Sequence, residues 1–280
     1  MNALRLAFGT LTVLPVRPPT SVDRRTAGRA MVLAPLVGLL LGLLAVALLW
    51  LLGGGTLPVL GSLSSLSTLV AGAAVVAVLA GLTRGMHLDG LADTADGLGS
   101  GRDPGRALEV MRKGDVGPFG VVTLMVVLLL QVASLERLVQ SPFGLGALLA
   151  ALVLSRLVLP ALCSTGVPPA RPEGLGATVA GSVGRGSLAA ATGLAGVLLA
   201  LVATLVRAAF PWLSQGATGP GLPSLFPDAR LHAAALVVVP LLVAGLFARH
   251  CVRRLGGVTG DVLGACVEVC FTAVLLVAAI

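Results

Sequence analysis

Long apolar runs and short polar intervals alternate along the whole chain. Runs that are apolar on every face occupy roughly 30–53, 64–83, 119–139, 145–166, 187–206, 231–249 and 262–280. At 1.5 Å of rise per residue, about twenty such residues cover the ~30 Å hydrocarbon core of a bilayer. A soluble helix would confine its apolar residues to one stripe, and these runs do not. The pattern predicts an all-α polytopic membrane helix bundle with about seven transmembrane helices, forming a single integral membrane domain over residues 1–280. Two runs carry a charge away from their ends, Arg156 and Glu268. A charge facing lipid is costly, so both are expected to face the bundle, where Arg156 can partner Glu268 or a substrate phosphate.

A shorter run, Leu6 to Val16, lies between Arg5 and Arg17 and ends in Pro15, Pro18 and Pro19. It lacks a small-residue cleavage motif, so it reads as an interfacial or re-entrant piece and not as a cleaved signal peptide. The Gly/Pro/Ser-rich stretch from Pro211 to Pro227 reads as a loop on the far side of the membrane.

Composition supports this picture: of 280 residues, 56% are hydrophobic and only 11% are charged. The net charge of +7 could suggest nucleic acid, but aromatic residues make up 3% and tyrosine is absent, so there is no platform for base stacking. Membrane topology explains the basic residues better. Arg5, Arg17, Arg24, Arg25 and Arg29, then Arg84, Arg102, Arg106, Arg112 and Lys113, then Arg171 and Arg185, then Arg249, Arg253 and Arg254 all fall on one side of the alternating layout. These are fifteen of the 19 Lys and Arg residues. The positive-inside rule then puts the N-terminus and the 84–118 interval in the cytoplasm and the C-terminus outside. Cys163, Cys251, Cys266 and Cys270 lie in or beside apolar segments without CxxC spacing, as expected of buried free thiols.

The one long polar interval, residues 84–118, holds the densest chemistry. Asp89, Asp93 and Asp96 are spaced i, i+4, i+7, which places three carboxylates within about 60° of one another on a helix. Gly90 and Gly97 flank that stripe and would leave a bare strip for a phosphorylated group. Clustered carboxylates repel one another, and a divalent cation reverses that balance. Oxygen-only ligands point to Mg²⁺ or Mn²⁺ bridging a diphosphate, with Mg²⁺ completing its shell from water and phosphate oxygens. A solvated acidic face is the plain alternative; the cluster's position directly against the second apolar run favours function.

His87 is a further catalytic candidate, as a general base, a phosphate contact or an interface histidine. On a continuous helix it points nearly opposite the aspartates, so it reaches them only if the helix begins after it, with a break near Gly85. Asp103-Pro104 reads as an N-cap followed by proline at the first helical position. Arg84, Arg102, Arg112, Lys113 and Arg156 are candidate phosphate grips. A second polar motif spans 253–261. There Gly257 and its neighbours could present N–H groups to a phosphate, with Thr259 beside them, and Asp261 could cap a helix or supply another metal ligand.

The block His87-Leu88-Asp89-Gly90-Leu91-Ala92-Asp93-Thr94-Ala95-Asp96-Gly97-Leu98 resembles the signature of the cobalamin synthase family, the adenosylcobinamide-GDP ribazoletransferases. The resemblance extends to Leu11–Pro15, Pro35-Leu36-Val37-Gly38, Ser155-Arg156 and Gly256–Asp261, and so covers nearly the whole chain. One departure is Met111-Arg112-Lys113-Gly114-Asp115, where the acidic position is displaced by two residues. The resemblance implies a Mg²⁺-requiring enzyme of the bacterial inner membrane. It would join adenosylcobinamide-GDP to α-ribazole, or to its 5'-phosphate, with release of GMP. Its partners would be those corrinoid-nucleotide and ribazole substrates and the lipid bilayer, without nucleic acid, and a homo-oligomer is compatible with it. The rivals are a CDP-alcohol phosphotransferase-like enzyme and an ion-coupled transporter. The first lacks its full motif here, and the second predicts acidic residues near the bilayer midplane.

Overall fold

A chain this apolar must close its backbone hydrogen bonds within helices, because the hydrocarbon core has no water to satisfy them. The computed structural model describes residues 1–52, 56–57, 61–62, 67–139, 141, 144–209 and 229–280. Among them the helices are α1 (Asn2–Leu11), α2 (Arg24–Val32), α3 (Ala34–Leu52), α4 (Thr68–Leu82), α5 (Met86–Gly99), α6 (Pro104–Arg112), α7 (Pro118–Val139), α8 (Gly144–Leu162), α9 (Leu175–Val179), α10 (Arg185–Ala209), α11 (Ala229–Leu255) and α12 (Gly260–Ala279). A two-residue antiparallel ribbon, Thr56–Leu57 with Gly61–Ser62, is the only strand pairing in a sheet among the described residues.

Helices α8 and α12 form the centre of the bundle: 72% of the apolar span of each is buried, against 22% for α7 and 28% for α11. The outer helices turn bare apolar side chains outward, such as Leu129, Val197 and Leu246, as lipid contact requires. Small residues set the closest approaches. Gly38 and Gly42 on α3 lie directly against Leu152 and Leu149 of α8, and Gly72 on α4 lies against Val132 and Leu135 of α7.

Five helices, α3, α7, α8, α12 and the Ala234–Leu255 part of α11, are long and apolar enough to cross a membrane by themselves. A sixth is reached if α4 and α5 count as one span. Each of the seven expected runs contains a helix, and one of them, 64–83, is cut short for a physical reason. The run at 64–83 ends at Leu82, because Arg84 (φ 56°) and Gly85 (φ 65°) enter the left-handed region and the chain turns by 90° into α5. The run at 187–206 lies within α10, a 25-residue helix. The loop expected at 211–227 lies outside the described residues. The Leu6–Val16 run forms part of α1, which buries Ala7 and Leu11 and packs on α2 and α3.

The polar intervals gather at one end of the bundle. Val13 N–H donates to Leu82 O, Arg171 reaches Leu108 O, and Ala170 N–H donates to Val258 O, which ties the N-terminal segment, the 84–118 interval, the 163–184 segment and the second polar motif together. At the opposite end Arg137 donates to Ala279 O. The basic residues that the alternating layout put on one side therefore share one end.

Candidate active site

Helix α5 runs across that polar end and is outside the five spanning helices. Gly85 caps it in the left-handed conformation and Met86 is its first residue, so the expected break occurs one residue before His87. Arg84 does not face the aspartates: its guanidinium donates to Gly9 O (2.9 Å) and Thr12 O (3.4 Å), fastening the turn to α1. Gly90 and Gly97 do not line an open strip either. A Cβ on Gly90 would lie 2.7 Å from Asp261 O of α12, and one on Gly97 would lie 2.6 Å from Met111 Cγ of α6. Gly264 of α12 approaches the backbone of His87 in the same way, at 3.2 Å. The glycines let three helix backbones pack closely around the acidic stripe.

The three aspartates of that stripe have different surroundings. Asp89 is exposed, Asp93 half-buried and Asp96 buried at 5% exposure. Asp96 accepts the backbone N–H of Gly117 (2.7 Å) and of Gly120 (2.9 Å), so both its oxygens cap the N-terminus of α7. Helix α12 supplies another carboxylate. Thr259 caps α12 by accepting Val262 N–H and also donates to Asp261 Oδ2 (3.2 Å), which leaves Asp261 on the α5 side. Burial, then the carboxylates of Asp89, Asp261 and Asp96, push Asp93 up to about 6, with Arg171 opposing the shift. Asp89, Asp93 and Asp261 thus share one electrostatic field.

No group of three His, Cys, Asp or Glu side chains among the described residues is close enough to form a metal cage. Mg²⁺ does not need one: it binds through one or two carboxylates plus water and substrate phosphates. Two or three hard oxygen donors on adjacent helices, one with its proton affinity raised by its neighbours, fit that mode.

The second polar motif is closed rather than open to a phosphate. Pro169 pairs with Val258 in a parallel bridge, Val258 N–H donates to Pro168 O (2.9 Å), and a Cβ on Gly257 would lie 2.5 Å from Pro168 O. Thr259 is buried beside Gly176 of α9. Arg102, Arg112 and Lys113 are exposed along α6, where Asp103 caps Arg106 N–H as its sequence foretold. Arg156 is buried within the bundle, where it donates to Ser155 Oγ (2.9 Å). It lines a cavity of about 20 Å³ together with Gln131, Glu268 and Leu88, and Gln131 in turn donates to Glu268 (2.8 Å). His87 is 2% exposed on the buried side of α5, and neither ring nitrogen has a protein hydrogen-bond partner among the described residues. Burial, followed by the nearby charge of Arg156, pushes its imidazole down to about 3, too low for an effective base at neutral pH.

Arg171 is the residue that the sequence pattern did not single out. Its guanidinium donates to Leu108 O (2.7 Å) and stands 4.0 Å from Asp261 Oδ2, joining α6 to α12 beside Asp93. In sequence it is one arginine between prolines, and only its side of the membrane was legible.

A profile of the cobalamin-5-phosphate synthase family matches residues 3–279. A protein of Frankia casuarinae named adenosylcobinamide-GDP ribazoletransferase is 44% identical over 281 residues, covering 100% of this chain and 95% of its own. A protein of the same name from a Nocardioides species is 43% identical over 275 residues, covering 98% and 97%. One from Stutzerimonas stutzeri is 38% identical, covering 99% and 97%. No solved structure matches.

Proposed function

The chain belongs to the cobalamin-5-phosphate synthase family, and on that premise we propose that it joins adenosylcobinamide-GDP to α-ribazole, or to its 5'-phosphate, with release of GMP. The observation that carries the chemistry is the approach of Asp261 to the Asp89–Asp93 side of α5 through the Gly90 contact, with Arg171 alongside.

Asp89 and Asp93 would hold Mg²⁺ with Asp261 as a third oxygen donor, and the ion would neutralise diphosphate charge and favour the departure of GMP. In the transfer, a ribose hydroxyl of the ribazole attacks the phosphorus on the cobinamide side. The new O–P bond forms as the P–O bond to the GMP phosphate breaks. A carboxylate oxygen of the cluster that the ion does not engage takes the hydroxyl proton. Arg171 is placed to offset charge at the phosphates, and exposed Arg112 and Lys113 stand within the same polar end. His87 supports α5 from its buried side. Asp96 holds the start of α7 against α5 and acts on the site only through that contact.

The basic residues at the polar end support assigning that end to the cytoplasm of a bacterial inner membrane. The test is purified protein in detergent with adenosylcobinamide-GDP, α-ribazole and Mg²⁺, monitored for GMP. Release that depends on both the corrinoid substrate and Mg²⁺, and that is lost in Asp89→Asn and Asp93→Asn, supports the reading. Normal turnover in both variants would refute it.

A further inference from the structure

Away from the aspartates, a cavity of about 570 Å³ opens between α2, the 181–184 segment and the first turn of α10. Three arginines line it, Arg24, Arg25 and Arg29, together with Ser182 and Ser187. Helix α2 is packed in place: Ala27, Gly28, Ala30 and Met31 are buried, and a Cβ on Gly28 would lie 2.7 Å from Ser182 O at the cavity wall. Arg24 also donates to Ala180 O. The arginines are therefore held over the cavity by a packed helix.

Among the described residues no carboxylate lines this cavity. The nearest in sequence, Asp23, accepts the N–H of Thr26 (2.6 Å) as the cap of α2. No ion pair among the described residues involves Arg24, Arg25 or Arg29. Ser187 brings in the first turn of α10, a 25-residue helix whose leading N–H groups and positive dipole end add to the field. Membrane topology asks only that basic residues lie on one side. It does not ask that three of them surround one concavity free of acidic side chains.

We propose that this cavity is a second phosphate site, separate from the aspartates, which takes a phosphate group presented at the membrane surface. Its depth favours a phospholipid head group as the source. Arg29 precedes the first residue of spanning α3 by five positions, and α10 is apolar from its first turns onward. Helix α9 walls the cavity off from the acidic cluster, since Gly176 rests on Val258 and Thr259 while Gly181 faces Arg24.

The test uses the full-length protein in neutral detergent, titrated in native mass spectrometry with phosphatidylglycerol or phosphatidylcholine, and separately with inorganic pyrophosphate. The wild type is expected to bind one phosphatidylglycerol in preference to phosphatidylcholine. Arg25→Gln with Arg29→Gln should weaken that binding by about twenty-five-fold, about five-fold for each charge removed. Ser187→Glu, which leaves every arginine in place, should weaken it as well, and GMP release by both variants should match wild type. If pyrophosphate binding responds to the variants while the two lipids bind alike, the site takes a soluble phosphate and the phosphate chemistry stands. If neither variant changes binding of phosphatidylglycerol or of pyrophosphate, the proposal is overturned.

Discussion

Replacing Asp96 should damage the fold first and metal binding hardly at all, whereas Asp89 and Asp93 should show the reverse. Asp96 is 5% exposed and accepts two backbone N–H bonds, at 2.7 and 2.9 Å, from the start of α7. A hydrogen bond to a charged group contributes roughly 1.5–3 kcal/mol, and an amide left buried without a partner adds to the loss. Asp96→Asn keeps one acceptor oxygen and should cost about 2 kcal/mol; Asp96→Ala keeps none and should cost about 4 kcal/mol. With a midpoint shift of about 2–4 °C per kcal/mol, these become falls of about 5 °C and about 10 °C. All four cysteines are buried, so a thiol-reactive dye reports unfolding directly. In parallel, the Mg²⁺ dependence of GMP release should keep its midpoint within about twofold for Asp96→Asn, while kcat falls as α7 loosens. An unchanged melting temperature together with a large rise in the Mg²⁺ requirement would show that Asp96 is a ligand and that the capping explanation fails.

Because Asp93 is pushed up to about 6, protons should compete with Mg²⁺: affinity should be flat above pH 7 and fall about tenfold per unit below pH 6, as titration calorimetry between pH 5 and 8 can show. The sign follows from the raised value, since lowering pH through 6 protonates the carboxylate that the ion needs. Gly90→Ala places a methyl 2.7 Å from Asp261 O; backbone cannot yield as a flexible side chain would, so a cost of about 1–3 kcal/mol in thermal unfolding and at least a tenfold loss of turnover are expected. Gly97→Ala meets the flexible Met111 instead and should be milder in both assays. Arg171→Lys, which cannot reproduce the guanidinium fork, should raise KM for adenosylcobinamide-GDP by about tenfold with melting temperature little changed.

Legibility in the sequence followed the range of the interaction. The helical runs, the cap at Asp103 and the common end of the basic segments depend on neighbours a few residues away, and all were visible in the pattern. So was the expectation that His87 turns away from the aspartates on a continuous helix, because helical periodicity decides it. The end of the run at 64–83 was not legible, because apolarity does not disclose a left-handed turn at Arg84–Gly85. Gly90, Gly97 and Gly257 looked like openings for substrate. They face the backbone of α12, the Met111 side chain of α6 and the backbone of the Pro168–Ala170 segment, contacts made between separate elements. Arg171 lies 90 residues from Asp261 and 63 from Leu108, which no local motif could join.

The division of labour among the carboxylates follows from that packing. Three aspartates on one helical face would be a costly concentration of charge if all stood free, and two backbone N–H groups offset the charge of one of them, Asp96. In the proposed site a third carboxylate comes from another helix: Gly90 admits the first turn of α12, and Thr259 and Arg171 hold Asp261 there. A set drawn from two helices can tighten or open as α5 and α12 move against each other, whereas a set on one helix has fixed spacing. Disturbing the Gly90 contact should therefore weaken Mg²⁺ binding even though Gly90 has no side chain to offer the ion, and a Gly90→Ala variant that lost turnover but bound Mg²⁺ normally would show that α5 alone holds the metal.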